Sequence, residues 1–289
     1  MKSVLRHTLY IWVILFSLLL TGCWKHSPVA EKLLQAETVM NEHPDSALNL
    51  LKGIAQPELQ TKEHRARYAL LYSQALDKNY IDVTNDSLIR VAVDYYKAKA
   101  DVKAKFHAYY YLGRVHTNAK ELTQAILAYM EAGQLVDELG DDYSAGLLYK
   151  QMGEIYRSYY DFPKSLQANQ QAIEHFTKAE KPIHKIQTML TLSGLFRNQN
   201  KEEEGYQVLK SALNESQKLN NQALVKSCIG NLVMTCIDMG KWEEATRLYQ
   251  EYVKNDSYKS MTVPFMAYIA RLYAKNKNMK SSSWNCSSS

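Results

Sequence analysis

Large residues and small residues each recur at forty-residue intervals through the middle of the chain. Four positions before Gly113, and before each forty-residue step from it, stand large residues: Tyr109, Tyr149, Met189 and Ile229. We take residues 113, 153, 193 and 233 as reference positions, and with each of them the positions twelve and nineteen residues later. Ten of these twelve positions hold Gly, Ala or Ser: Gly113, Ala125, Ala132, Gly153, Ser165, Ala172, Ser193, Gly205, Ala212 and Ala245. Small residues let two helix axes approach closely, so the pattern predicts a packed helix pair in every forty residues.

The segment before this array has a helical but less regular pattern. Four helices and one polar loop are predicted there: residues 31–40, residues 45–54, a helix holding Tyr68, Leu71 and Ala75, the loop 77–86 and the helix 87–96. After the array, residues 265–273 predict the first helix of a further pair, whereas the Ser-rich residues 281–289 predict a disordered tail. About six pairs are therefore expected over residues 29–280, the last one incomplete.

The alternation of large and small residues resembles the tetratricopeptide repeat (TPR), most clearly in the turn and helix start MGKWEEA at residues 239–245. The commonest repeat of that family has about 34 residues, so this chain resembles the long-repeat variants. The extra residues are expected between repeats, at the breakers 140–142, 181–182 and 220–221, with longer helices absorbing them. The resemblance implies an all-α fold, a right-handed α-solenoid of antiparallel helix pairs.

The composition fits a folded helical protein. Hydrophobic residues are 46% and charged residues 22%, and the chain has only 11 Gly and 6 Pro, which disfavours a β-sandwich or barrel. The net charge is +5, and it falls to +3 when Lys2 and Arg6 are removed with a leader. That charge is too small to indicate nucleic-acid binding.

The N-terminus carries a targeting signal. An unbroken apolar run at residues 9–20 follows two cations, and as a helix it spans about 18 Å, too short for a bilayer core. Residues 20–23, LTGC, resemble the lipobox of bacterial lipoproteins. The resemblance implies that residues 1–22 are a signal peptide, that Cys23 is acylated, and that residues 23–28 form a tether. Trp24 rather than Asp follows Cys23, so the expected location is the outer membrane, facing the periplasm.

No catalytic or metal-binding constellation is present in the sequence. There is no HExxH, GxSxG, P-loop or GxGxxG, and the eight histidines are not spaced as ligands, so we expect no enzyme activity, no cofactor and no metal. His116 stands in a slot that is aromatic in neighbouring repeats and is expected in the core. Cys228 and Cys236 lie eight residues apart on a predicted helix, too far for a disulfide, and with Cys286 are expected to be unpaired.

The first helix of each pair is expected to face inward and to line a ligand groove. The residues at those positions are Tyr110, Arg114, Thr117, Asn118, Lys150, Glu154, Arg157, Arg197 and Asn198. Four cations are expected to converge there with Glu154 as the only acid among them, which is similar to the carboxylate-clamping grooves of other TPR proteins and implies an acidic peptide ligand. The alternative is that Glu154 pairs with one neighbour and water solvates the others.

Three functions remain open from the sequence. The first is a lipid-anchored scaffold that binds a protein or peptide in the groove, without nucleic acid. The second is the extracytoplasmic sensor part of a longer membrane-spanning regulator. The third is a glycan-binding lipoprotein, suggested by the tyrosine clusters at residues 95–96, 109–111 and 159–160, although at least one tyrosine of each cluster is needed by the repeat core.

Overall fold

The computed structural model describes residues 28–55 and 58–254, with side chains described as far as residue 250. These residues form thirteen helices and no strand: α1 Pro28–Val39, α2 Pro44–Lys52, α3 Lys62–Lys78, α4 Ser87–Tyr96, α5 Val102–Asn118, α6 Leu122–Gly133, α7 Val136–Leu139, α8 Asp142–Ser158, α9 Phe162–Lys178, α10 Pro182–Asn198, α11 Glu202–Lys218, α12 Gln222–Asp238 and α13 Trp242–Lys254. The leader, Cys23, Cys286, the predicted helix 265–273 and the Ser-rich tail lie outside the described residues.

The helices from α8 onward follow a strict twenty-residue spacing. The five helices α8 to α12 each have 17 residues, and three residues connect each of them to the next. A forty-residue repeat is therefore two helices of about 25 Å with two short connections. The predicted longer helices are confirmed, and they hold the extra residues. The predicted concentration of extra residues between repeats is wrong, because connections within a pair and between pairs have the same length.

Each of these helices ends in a residue with a left-handed backbone conformation. Positive φ angles of 53–70° occur at twenty-residue steps: Lys120, Gly140, Tyr160, Glu180, Asn200, Asn220 and Gly240, and earlier at Tyr80. The next amide reaches back over the helix end; for example, Glu121 N donates to His116 O at 2.9 Å and Lys241 N donates to Cys236 O at 2.8 Å. This is the Schellman geometry, which satisfies the last carbonyls of a helix and turns the chain sharply.

Several helix starts are fixed by side-chain caps. Asp101, Asp161 and Asn221 accept hydrogen bonds from the backbone N–H three residues later, at 2.9, 3.2 and 3.1 Å. Thr61 caps α3 in the same way, through His64 N at 3.0 Å. Such caps satisfy amides that have no partner inside the helix, and each stabilises the helix by about 1 kcal/mol. Caps and left-handed ends together set the helix length that the apolar pattern alone leaves open.

The described residues divide into two compact units, one through Ile155 and one from Tyr156. In the first unit, the fully buried ring of Tyr129 on α6 packs against Gly113 on α5. The predicted packing positions are all buried in the structure, with Ala125, Ala132, Ser165, Ala172 and Ala212 at 0% exposure. In the second unit, a Cβ placed on Gly205 of α11 would lie 3.1 Å from Ser193 O on α10. Small residues thus permit close helix approach in each unit.

Candidate functional site

The first unit contains an open cavity of about 640 Å³. Its walls come from α1, α3, α5 and α8, the first helices of four successive pairs, and from the end of α4 with the connection that follows it. The volume falls within the range of about 300–1,000 Å³ that is usual for ligand sites. We call this space the first-unit cavity.

Five tyrosines line the first-unit cavity: Tyr95, Tyr96, Tyr110, Tyr111 and Tyr143. The rings of Tyr95 and Tyr96, and those of Tyr110 and Tyr111, meet edge to face with centroids 5.1 Å apart. Burial raises the pKa of Tyr96, Tyr110, Tyr111 and Tyr143, for Tyr96 to about 12. These four phenols stay neutral at physiological pH, so the wall offers ring faces together with hydroxyl groups.

Most of the acids at the cavity are already engaged by protein groups. Glu37 Oε2 accepts from Arg67 Nη2 at 2.6 Å, and its other oxygen lies 4.0 Å from Lys103 Nζ. Asp101 caps α5. Asp141 accepts from Tyr143 N and from the Ser144 hydroxyl, at 3.0 and 2.6 Å, and although burial raises the pKa of Asp141, these hydrogen bonds outweigh it and lower the pKa.

Two half-buried basic groups at the cavity remain available to a ligand, besides the exposed Lys99, whose Nζ lies 4.8 Å from the centre of the Tyr95 ring. The half-buried Lys78 on α3 makes no hydrogen bond or ion pair among the described residues, and burial lowers the pKa of its amine. His107 on α5 is also half-buried, and its Nδ1 lies 2.8 Å from Lys103 O. Burial lowers the pKa of His107 as well. The first-unit cavity therefore presents an unpaired ammonium and an imidazole beside the tyrosines.

The structure gives the predicted groove residues of the first unit different surroundings. Tyr110 lines the first-unit cavity. Arg114 points to a second, small pocket, where Nε lies 2.7 Å from Asp77 Oδ1 and Nη1 donates to Gln151 Oε1 at 3.0 Å. Asn118 lines the same pocket and donates to Val83 O at 3.3 Å. Thr117 donates to Gly113 O at 2.8 Å.

The other predicted groove residues lie on α8 and α10. Lys150 is half-buried, and burial lowers the pKa of its amine while the charge of Glu154 opposes that effect. Arg197 Nε lies 3.9 Å from Asp238 Oδ2 in the second unit, where Asn198 ends α10. The convergence of Arg114, Lys150, Arg157 and Arg197 on one surface stays a prediction. Asp77 and Asp238 are two acids that the sequence had not placed beside these cations.

His116 and the cysteines occupy interior positions. His116 is buried, and its Nδ1 lies 2.7 Å from Glu121 Oε2. Cys228 and Cys236 are buried free thiols, and burial raises the pKa of both, for Cys236 to about 11. In the part of the chain that the structure describes, no group of three or more His, Cys, Asp and Glu side chains is placed to hold a metal ion.

Sequence reasoning missed Lys78 and His107 as candidate ligand-binding residues. The cluster at residues 109–111 placed tyrosines near this surface, but α5 alone does not show which residues of α3 face them. The one available signal was the polar residue His107 three positions before Tyr110 on the inward face.

Among the described residues, no helix is both long and apolar enough to cross a bilayer.

Comparisons with known proteins find similar solved structures, whereas no family model and no curated protein matches the chain. The apo form of RapI has a TM-score of 0.65 and 16% identity, over 86% of this chain and 72% of RapI. A Rap protein complexed with Competence and Sporulation Factor has a TM-score of 0.56 and 17% identity, over 88% and 72%. A Signal Transduction ATPase with Numerous Domains from Pyrococcus horikoshii, which carries a tetratricopeptide repeat sensor, has a TM-score of 0.57 and 14% identity, over 78% of this chain and 33% of that one. At these identities the likeness shows the fold, and the chain is an all-α repeat solenoid of the TPR type.

Proposed function

We propose that this protein is a lipid-anchored TPR scaffold that binds a segment of another protein in the first-unit cavity. The observation that carries the proposal is the cavity itself, which is open, lined by four successive first helices, and rich in tyrosine. Tyrosine rings give large contact area at a low cost in conformational entropy, and their hydroxyls can bond a peptide backbone. Such a wall fits an extended or helical segment that runs across several helices.

The structural neighbours support binding of a partner. One Rap protein of the same fold was solved in complex with Competence and Sporulation Factor, so a solenoid of this kind can hold a second molecule. The sequence carries no catalytic motif. The Ser144 hydroxyl does donate to Asp141 in the first-unit cavity, but Asp141 also accepts from the backbone N–H groups of Tyr143 and Ser144, so this contact belongs to the cap at the start of α8. A binding role therefore accounts for the cavity better than a reaction does.

The lipobox-like residues 20–23 support the anchor. Acylation of Cys23 would hold the solenoid at a membrane through a tether of a few residues, since each buried CH₂ of an acyl chain contributes about 0.8 kcal/mol. We place the anchored protein at the outer membrane, facing the periplasm. A scaffold there would meet segments of other envelope proteins.

A peptide selection tests the binding site. The full chain in detergent is screened against a displayed library of random peptides, and the enriched peptides are measured against two variants. Ala104→Trp fills the cavity from α5, whereas Ala223→Trp places the same side chain at an exposed position near the start of α12. We expect Ala104→Trp to weaken binding at least tenfold, a loss of about 1.4 kcal/mol, and Ala223→Trp to bind as the unmutated chain does.

Circular dichroism of Ala104→Trp checks that its helices remain intact. Enriched peptides that bind Ala104→Trp with undiminished affinity would move the site away from the first-unit cavity. In that case the candidate binding site becomes the predicted groove with Arg114, Lys150, Arg157 and Arg197. Arg157→Ala combined with Arg197→Ala should then weaken peptide binding in a salt-dependent way. Failure to enrich any peptide would contradict segment binding as a function.

A sensor role is the second candidate. The neighbour from Pyrococcus horikoshii carries its repeats as a sensor within a longer signal-transduction protein, of which this chain spans a third. A sensor would bind the same kind of ligand but pass the signal to an output domain. Reading the genomic sequence downstream in all frames tests this: an apolar run of about twenty residues followed by an output domain would favour the sensor.

A further inference from the structure

His107 has one ring nitrogen engaged by the protein and one left over. A carbonyl only accepts, so the 2.8 Å contact with Lys103 O places the proton on Nδ1 and leaves the lone pair of the neutral imidazole on Nε2. The ring is held in this orientation by Phe106, edge to face at 5.4 Å, and by Tyr111, stacked at 6.3 Å. Nε2 is thus the ring atom free to meet a ligand in the first-unit cavity.

The surroundings keep His107 neutral while the cavity is empty. Burial is the largest cause of its lowered pKa; the charges of Lys103 and Lys78 also lower it, whereas the hydrogen bond to Lys103 O and the charge of Asp141 raise it. The charged side chains that line the cavity come from α1, α3 and α5 and from the connections that precede α5 and α8: Glu37, Glu63, Arg67, Lys78, Lys99, Asp101, Lys103 and Asp141. Glu37, Asp101 and Asp141 already accept hydrogen bonds from protein groups.

Lys78 on α3 and His107 on α5 line the same cavity. The positive charge of Lys78 is one of the causes that lower the pKa of His107. Each is partly desolvated, and neither Lys78 Nζ nor His107 Nε2 has a partner in the hydrogen bonds and ion pairs described for these residues. A single anion placed between them would meet a charge-assisted donor on one side and a protonatable nitrogen on the other.

We infer that Lys78 and His107 form a subsite for a carboxylate of the bound segment, and that filling this subsite protonates His107 at Nε2. The rings of Phe106 and Tyr111 contact His107 and also line the first-unit cavity, so the preferred carboxylate lies next to an aromatic or large apolar group. This inference rests on the proposed function and adds the chemistry of the ligand and its dependence on pH.

The sign of the pH dependence follows from the two states of His107. In the empty cavity the imidazole is neutral at pH 7 because its pKa is lowered; beside a bound carboxylate the pKa rises, since the negative charge favours the imidazolium. Between the two pKa values, binding takes up a proton, so affinity falls as the pH rises, by at most about tenfold per pH unit. Below the lower pKa the affinity becomes constant.

Benzoate is a direct probe, because it places a carboxylate on an aromatic ring. The full chain in detergent, labelled at histidine Cε1, is titrated with benzoate by NMR at several pH values above 5.5; benzoate remains ionised there, since such acids have pKa values of about 4. The His107 signal is assigned with His107→Gln. We expect benzoate to shift this signal, to raise the pKa of His107, and to bind about tenfold more tightly at pH 6 than at pH 8.

Matched probes and variants define the group that is recognised. Benzamide has the same ring without the charge and should leave His107 unmoved, and acetate should bind more weakly than benzoate because it lacks the ring. Lys78→Met keeps the length of the side chain without its charge and should weaken benzoate binding at least fivefold. Lys52→Met, at an exposed position on α2, is the control and should bind benzoate as the unmutated chain does.

Three results would overturn the inference: no effect of benzoate on His107, equal affinity at pH 6 and pH 8, or unchanged affinity in Lys78→Met. Tighter binding of inorganic phosphate than of benzoate would overturn the carboxylate assignment. A thermal melt shows whether Lys78→Met is folded, and His107→Gln gives a second variant that must lose the pH dependence. Library peptides that bind the cavity equally well at both pH values and in Lys78→Met would leave segment binding standing while refuting this subsite.

Discussion

Gly113 and Gly194 are two helical glycines whose surroundings differ. A Cβ on Gly113 would stand 2.5 and 2.8 Å from Cδ1 and Cζ of the buried Tyr129 ring, whereas a Cβ on Gly194 would have nothing within 4 Å. We expect Gly113→Ala to lower the free energy of unfolding by about 1–3 kcal/mol through overpacking. Gly194→Ala should raise it by about 0.5–1 kcal/mol, because alanine loses less backbone entropy in a helix. Urea unfolding of both variants measures the difference, and a stabilised Gly113→Ala would contradict the α5–α6 packing.

Arg114 illustrates a residue whose sequence position suggested ligand binding and whose contacts suggest a structural role. Its 2.7 Å pair with Asp77 joins α5 to α3, with the two side chains 24% and 21% exposed. Arg114→Met should lower the free energy of unfolding by about 1–3 kcal/mol, because it leaves a partly buried carboxylate without its donor. The double variant Arg114→Met with Asp77→Leu should cost less than the sum of the single variants, by more than about 0.5 kcal/mol. Strict additivity in urea unfolding would mean that the Arg114–Asp77 pair contributes nothing to stability.

At this scale the sequence predicted packing better than binding. The small positions are visible because forty-residue steps repeat them, and each is buried in the structure. Asp77 and Lys78 were assigned to a polar loop, but both belong to the last turn of α3. That turn brings Asp77 to Arg114 and Lys78 to the first-unit cavity, and no pattern within a single repeat contains this information.

At the scale of the element, the left-handed helix ends explain why the repeat is so regular. Seven consecutive ends at twenty-residue steps have positive φ, yet only Gly140 and Gly240 are glycine. Sequence reasoning recognised breakers at 140, 181–182 and 220–221 but could not recognise Lys120, Tyr160 or Glu180, because these residues rarely adopt this conformation. The geometry of the helix end imposes it on them, at a cost of roughly 1–2 kcal/mol for each residue with a Cβ.

Two opposite substitutions test this cost. Lys120 has φ of 62° at an exposed position, and Gly140 has φ of 63° with open space around its Cα. Lys120→Gly should raise the free energy of unfolding by about 1 kcal/mol, and Gly140→Ala should lower it by a similar amount. Chemical denaturation of both variants measures the effects. Destabilisation by Lys120→Gly would show that the lysine side chain, rather than the backbone, stabilises that end.

At the scale of the whole molecule, the all-α repeat fold was confirmed because periodicity is a property of the whole sequence rather than of any one segment. The first pairs were also located well: α4 spans Ser87–Tyr96 as predicted, and α2 begins at Pro44. The binding site could not be predicted in the same way, since it depends on which helices of successive pairs face one another.

A solenoid also limits how far damage spreads, because each repeat contacts mainly its neighbours. Gly113→Ala should therefore speed amide hydrogen exchange in α3 to α6 and leave α11 and α12 unchanged, as expected when units open separately. Exchange followed by mass spectrometry resolves the two regions. Equal acceleration in α12 would show a single cooperative unit and contradict the division at residue 155.

The last prediction concerns the attachment of the whole molecule to a membrane. If residues 20–23 are a lipobox, the Cys23 thiol receives the acyl chains, and Cys23→Ser abolishes both palmitate incorporation and cleavage of the leader. Cys228→Ser is the matched control, since that buried thiol on α12 should accept no lipid and its loss should leave labelling unchanged. Cells are grown with labelled palmitate, and the protein is isolated and analysed by mass. Labelled palmitate in the Cys23→Ser variant would show that another residue carries the lipid, and this result would contradict the proposed anchor at Cys23.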